Sequence, residues 1–237
     1  MNKIITLFIA FIAVLGLNSC QKVIGQGPVV TEERNVDAFT RIESEFPGEV
    51  ILVQGAVQLV KAQAQENIMK DLQTTVSNGV LKIKIKNGLR LSTGSSLKVY
   101  VTIPVIERLS LMGSGNLVAD DIVSEDIDLK LTGSGDMHIG NLECSSLYSE
   151  LTGSGSMTIS GGNAPELKVR LTGSGDLKAQ NLSAVDADVR VTGSGSATVR
   201  ASRTLNATIS GSGNINYYGN PSVTQSVTGS GKVKRKD

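Results

Sequence analysis

LTGSGD stands at Leu131–Asp136 and again at Leu171–Asp176, with LTGSGS at Leu151–Ser156 between them. GSG begins at Gly113, Gly133, Gly153, Gly173, Gly193, Gly211 and Gly229, at spacings of 20, 20, 20, 20, 18 and 18 residues. A fixed period repeated this often defines a repeat architecture, and that sets the fold before local propensity does. Other columns keep the period. Two residues before each GSG stand Leu111, Leu131, Leu151, Leu171, Val191, Ile209 and Val227. The residue between is Met112, then Thr132, Thr152, Thr172, Thr192, Ser210 and Thr228. Two residues after the last Gly come Leu117, Met137, Met157, Leu177, Ala197 and Ile215; two further on come Ala119, Ile139, Ile159, Ala179 and Val199.

These apolar positions alternate with polar ones, the period of a half-buried strand rather than a helix. The glycines permit the backbone angles of a corner or bulge. Eighteen to twenty residues of strand and turn make one coil of an all-β, single-stranded β-helix or solenoid. Coils stack about 4.8 Å apart, so about seven of them form a rod on the order of 30 Å long. The Leu/Val/Ile column is the expected dry interior, and the Thr and Ser columns can hydrogen-bond along a face. One coil cannot bury its own apolar side, so stability grows with neighbours.

Composition agrees. Gly is plentiful at 26 residues, aromatics are 3% and Trp is absent, which suits many short strands and tight turns rather than a core built on large rings. With 23 basic and 22 acidic side chains there is no field of one sign, so no nucleic-acid partner is expected.

Residues 1–19 read as a signal peptide. Lys3 supplies the positive start, and Ile4–Leu17 is an apolar run too short to span a bilayer comfortably. The ending LNSC resembles a bacterial lipobox in Leu17, Ser19 and Cys20, and departs from it at Asn18. The resemblance implies lipidation of Cys20 and a membrane held through that lipid. Residues 20–31 (CQKVIGQGPVVT) then serve as the linker. Loss of residues 1–19 removes Lys3 and leaves 22 basic and 22 acidic side chains.

The chemistry of a catalytic site is sought and not found. The chain has one His, His138, whose column also holds Thr158, Lys178 and Thr198, a solvent-facing set. Asp136 and Asp176 follow GSG, similar to the Gly-Asp calcium solenoids, but those repeat as nonapeptides. Here the period is about twice as long, and Ser156, Ser196 and Lys232 break the column. Calcium needs several converging oxygens, so no metal and no cofactor are expected. Cys144 shares its column with Ser124, Ala164 and Ala184, a place for a small buried filler rather than a reactive thiol. The adjacent Tyr217 and Tyr218 face opposite sides of a strand and make a thin platform for a sugar. Residues 232–237 form a basic tail in which Lys232, Lys234, Arg235 and Lys236 keep the last edge soluble.

Before the repeat, residues 32–108 form a β-rich N-terminal half, and residues 109–231 form the solenoid. Strands are read at Glu49–Gly55, Val80–Lys86 and Leu97–Pro104, and a helix of about two turns at Glu66–Leu72. The order RNVDAFTRIES, EVILVQG, ENIMKDLQTTVSNGVLKIKIKNG and LKVYVTIPVIERLSLMGSGN, with GSGNIN at Gly211–Asn216, resembles the head GIN domain over Asn35–Ser230. That family is common in Bacteroidetes lipoproteins and is described as an autotransporter adhesin domain. The resemblance implies right-handed β-helical coils and defines no catalytic residue.

The expectation is therefore a non-catalytic, lipid-anchored cell-envelope protein of the outer membrane, on its surface or periplasmic side. It presents polar β-helix faces to a glycan or an envelope protein. The alternative is a periplasmic structural or envelope-stress-related lipoprotein, and the third reading is a polysaccharide-acting enzyme.

Overall fold

The computed structural model describes residues 21–86, 89–91 and 97–236. Residues 1–19, read as an export signal, and Cys20 lie outside the described residues. The first half comprises β1 (Gln21–Val23), β2 (Val29–Glu33), β3 (Arg41–Glu45), β4 (Glu49–Gln54), β5 (Leu59–Gln65), α1 (Glu66–Met69), β6 (Leu72–Ser77), β7 (Val80–Ile85), β8 (Leu89–Leu91) and β9 (Lys98–Ile103). The repeat follows as β10 (Arg108–Gly113), β11 (Asn116–Val123), β12 (Asp126–Gly133), β13 (Asp136–Glu143), β14 (Ser146–Gly153) and β15 (Ser156–Asn163). It ends with β16 (Glu166–Gly173), β17 (Asp176–Gly193), β18 (Ser196–Gly211), β19 (Asn214–Tyr218), β20 (Ser222–Thr228) and β21 (Lys232–Arg235). The fold is an all-β solenoid.

Each GSG is a corner between two faces. Strands that end at its first Gly form the first face, where β10, β12, β14 and β16 pair in parallel and in register: Leu111 with Leu131, Leu131 with Leu151, Leu151 with Leu171. Strands that begin after its second Gly form the second face, where β11, β13 and β15 stack in the same way. β17 and β18 run through the opposite corner without a break, and their pairing shifts register there, between Ala179 and Ser183 and between Ala184 and Asp186.

The corner explains why the same three letters recur. The first Gly of each GSG has φ between +101° at Gly113 and +127° at Gly211, a region that L side chains rarely adopt. From Gly113 to Gly193 its carbonyl accepts two backbone N–H groups from the next coil: Ser154 at 2.9 Å and Gly155 at 3.1 Å on Gly133, Ser174 at 2.9 Å and Gly175 at 3.0 Å on Gly153. The second Gly is required by closeness alone. A Cβ on Gly155 would sit 2.1 Å from the Gly135 carbonyl oxygen.

The N-terminal half both extends and closes the stack. β3 and β4 turn around Phe46–Gly48 in place of GSG and pair in parallel with β10 and β11. β7 and β9 pair in parallel on their far side. Beyond these the direction reverses: β6 runs antiparallel to β7, and β5 antiparallel to β9 and β2. The helix read over Glu66–Leu72 is only Glu66–Met69. It has no side-chain cap, and by Leu72 the chain is committed to pairing with Ile85.

The core is one narrow column between the faces. Leu111, Leu131, Leu151, Leu171, Val191 and Ile209 are buried on one side; Leu117, Met137, Met157, Leu177, Ala197 and Ile215 are buried on the other. Val227, in the last coil, is 40% exposed because no described strand lies beyond it. Ser149 is the one buried polar side chain of the described repeat, and its hydroxyl donates to the Met157 sulfur at 3.1 Å.

Candidate functional site: the ladder faces

The two faces differ chemically because register stacks each outward residue on its counterpart one coil away. On the first face that juxtaposition yields the ion pairs Arg108–Asp128 at 2.6 Å and Lys130–Glu150 at 3.3 Å, and diagonal neighbours add Arg170–Asp188 at 2.8 Å and Arg203 on Asp186. The hydrogen bond from Arg170 holds the Asp188 carboxyl below the usual carboxylate range, and hydrogen bonds from Arg203 and Thr204 do the same for Asp186. Both carboxylates therefore stabilise the fold above that range and lose the contribution as pH falls. Lys130 and Lys168 lie 5.7 and 5.8 Å from the centroid of the Tyr148 ring. Each such exposed pair contributes little by itself; the lattice gives a flat, salt-laced surface.

The second face is mostly small and hydrogen-bonding. One outward column runs Asn116, Asp136, Ser156, Asp176, Ser196 and Asn214; the next runs Val118, His138, Thr158, Lys178, Thr198 and Asn216. Along the corner between the faces, Thr132, Thr152, Thr172 and Thr192 are stacked and exposed.

The individually suspected residues take structural places. Asp136 and Asp176 are not brought together. Each carboxylate accepts the backbone N–H of the residue in its own column one coil on, Ser156 at 3.1 Å and Ser196 at 3.2 Å. Among the described residues no group of three or more His, Cys, Asp or Glu is placed to hold a metal ion. His138 is exposed on β13 between Val118 and Thr158. Replacing His138 with Ala is expected to change stability by no more than about 0.5 kcal/mol, the range of surface changes that touch nothing special. Thermal denaturation measures this.

Cys144 is buried, and its N–H bonds the Asn163 carbonyl just as Ser124 bonds Glu143 and Ala164 bonds Ser183. Burial first, and Asp126 and Glu143 next, push its thiol up to about 11. Its folded pKa lies above the ordinary 9.0, so its contribution to stability is full below that value and is lost as pH rises through about 11. Iodoacetamide at pH 8 is expected to modify Cys144 far more slowly in the native chain than in urea, read by mass spectrometry.

Tyr217 packs against the core, while Tyr218 lies under the Arg200 guanidinium at 5.3 Å. The tyrosines of the repeat are thus engaged by core or cations. The depressions are shallow. One of about 550 Å³ lies at the N-terminal end against Arg34, Leu72 and Lys84. Another of about 480 Å³ lies against Arg41, Glu107, Arg108 and Asp128 and has no Tyr in its lining. Two of its four acids are engaged, Asp128 by Arg108 and Glu107 by the Thr40 hydroxyl at 2.8 Å, while Glu125 and Asp126 also line it. Among the described residues no helix is long and apolar enough to cross a membrane.

Sequence reasoning missed Gln54, whose amide donates to the carbonyls of Pro104 and Val123 and accepts the Val123 N–H, tying the corner opposite the first GSG. No period marks it, because it acts in a single coil.

Residues 38–221 match the family described as "Putative auto-transporter adhesin, head GIN domain". A crystal structure of a "putative adhesin" from Bacteroides fragilis is similar at 23% identity and a TM-score of 0.84, covering 90% of this chain and all of that one. A "putative lipid binding protein" from Parabacteroides distasonis (23% identity, TM-score 0.70) and a "putative adhesin" from Parabacteroides merdae (22%, 0.70) each cover 92% of this chain and are themselves wholly covered. At these identities the likeness is one of fold. No curated protein matches the chain.

Proposed function

We propose a function from one premise: the chain belongs to the "Putative auto-transporter adhesin, head GIN domain" family. It is a non-catalytic binding protein of the cell envelope, held to the outer membrane through lipid on Cys20, and it presents its ladder faces to a glycan or a protein. The observation that carries this reading is the pair of flat polar faces. Outward side chains are fixed at coil spacing by in-register neighbours, while the concavities are shallow and the one beside Arg108 has no Tyr in its lining. Such faces offer an extended, preorganised surface rather than an enclosed reaction site.

Ring stacking is not the mode of recognition favoured at the repeat, since Lys130 and Lys168 attend Tyr148 and Arg200 attends Tyr218. Hydroxyl, amide and carboxylate groups of the second face, Asp136 to Asn216, suit a hydrogen-bonding partner better.

Protease shaving of intact cells, with lysed cells as control, tests the reading. Cleavage on intact cells, followed by glycan- or protein-array binding lost on mutation of the second face, is the expected result. Survival until lysis removes the external ligand and leaves the periplasmic structural role. Metabolic labelling with a fatty-acid analogue, lost in Cys20→Ala, tests the anchor.

A further inference from the structure

The two ends of the stack are finished differently. At the N-terminal end β5, β6 and β2 reverse direction, and α1 joins the faces. At the C-terminal end nothing of the kind follows among the described residues: β20 pairs only with β18, and β21 only with β19. Among the described residues the outer edges of β20 and β21 have no partner strand, as those of β2 and β6 have none at the other end, so their backbone N–H and C=O groups can meet another strand.

These edges carry different charge. β20, Ser222–Thr228, has no charged residue. β21 carries exposed Lys232 and Lys234 on either side of Val233, which packs against the core. If the cations served only to blunt the end against pairing, the longer, uncharged edge of β20 would need them more.

Several in-register positions of the stack match a cation with an acid, although Lys178, in the column of Lys234, meets Thr158 and Thr198. Lys98 pairs with Glu49 at 2.7 Å, Lys82 with Glu43 at 3.1 Å, Arg108 with Asp128 and Lys130 with Glu150. In each case the acid is the in-register residue of the adjoining strand. Lys232 and Lys234 are in register with Asn214 and Asn216 on one side and with no described residue on the other.

We infer that the outer edge of β21 receives an extended acidic segment of a partner polypeptide, with carboxylates at alternate positions opposite Lys232 and Lys234 and an apolar residue opposite Val233. Main-chain pairing would supply the attachment, and the ladder ion pairs its selectivity. Edge-to-edge pairing of two β21 strands from two copies does not fit, because it sets lysines against lysines. Lys232 and Lys234 continue the two outward columns of the second face, and the test separates backbone pairing at the edge from binding on that face by the peptide with Pro for Val.

The test is fluorescence anisotropy of the full mature chain with a labelled ten-residue peptide of alternating Glu and Val. Saturable binding is expected, weakened at least tenfold in the double variant Lys232→Glu, Lys234→Glu, whose melting curve should match the parent. A peptide with Lys for Glu should not bind. A peptide with Pro for Val, which keeps the charge but cannot pair its backbone, should not bind either. Equal binding of the Pro peptide overturns strand addition in favour of a plain charge patch. No peptide binding, with phosphatidylglycerol vesicles bound through the same lysines, assigns the end to a membrane and overturns the proposal. Self-association lost in the same double variant assigns the edge to a second copy and overturns it too.

Discussion

Replacing Leu151 with Asp is expected to remove the cooperative melting transition of the repeat at neutral pH. Leu151 is 1% exposed on β14, in register between Leu131 and Leu171. Its Cδ2 lies 2.5 Å from where a Cβ on Gly175 would stand, so the leucine column is fitted under the glycine column of the next coil. Losing a buried Leu costs about 1.5–3 kcal/mol. An unpaired carboxylate in the same place adds several more, or forces protonation. Together these approach the total stability of a typical domain, roughly 5–15 kcal/mol. In a stack that gains stability from neighbours, one failed coil also removes support from those on each side. The sign with pH follows: a carboxyl pushed up by burial is neutral in acid, so the variant should recover part of its stability as pH falls toward 4. Circular dichroism melts of Leu151→Asp beside Leu151→Ala, at two pH values, make the measurement. A transition like that of the parent at pH 7 would mean that position 151 faces solvent and the register is wrong.

What could be read without coordinates followed the period. A column that repeats at 20 residues is one chemical environment sampled many times, so six of the seven Leu/Val/Ile positions before GSG are interior and the threonines beside them are exposed. Val227 departs because burial needs a neighbour on both sides, and its coil is the last. The short Glu66–Met69 helix and the antiparallel strands around it lie where the period is absent; alternation in Val80–Ile85 announces a strand and says nothing of its partner. The same limit governs the faces. Lys130 and Glu150 stand 20 residues apart, so their ladder pair is legible once the register is known. The bond from the Ser156 N–H to Asp136 is not, because it depends on how closely two coils approach. No ligand can be read at all. Recognition spread over columns leaves no local motif of the kind that a triad or a metal-binding cluster leaves.

Three glycines within one coil should respond very differently to one added methyl. Gly153→Ala is expected to be severe. Its φ of +124° lies where only glycine is at ease, and the new Cβ would stand 2.2 Å from the Gly133 carbonyl oxygen. Strain of about 1–3 kcal/mol and overpacking of about 1–3 kcal/mol add, because they have separate causes. The backbone has no easy way to relax. The Gly133 carbonyl accepts the N–H groups of Ser154 and Gly155, so moving it away loosens two hydrogen bonds. Gly155→Ala should be nearly as costly for one reason alone, the 2.1 Å approach to the Gly135 oxygen. Gly161→Ala should be tolerated. Its nearest contact is the Asn141 side-chain oxygen at 3.5 Å, its φ lies outside the region reserved for glycine, and the substitution restricts the unfolded chain. Urea titrations should place Gly153→Ala and Gly155→Ala well below the parent midpoint and Gly161→Ala at or above it. If Gly161→Ala fell with the other two, general loss of flexibility would explain the effect. If all three were neutral, the close contact between successive GSG corners would be wrong, and with it the reason the motif recurs.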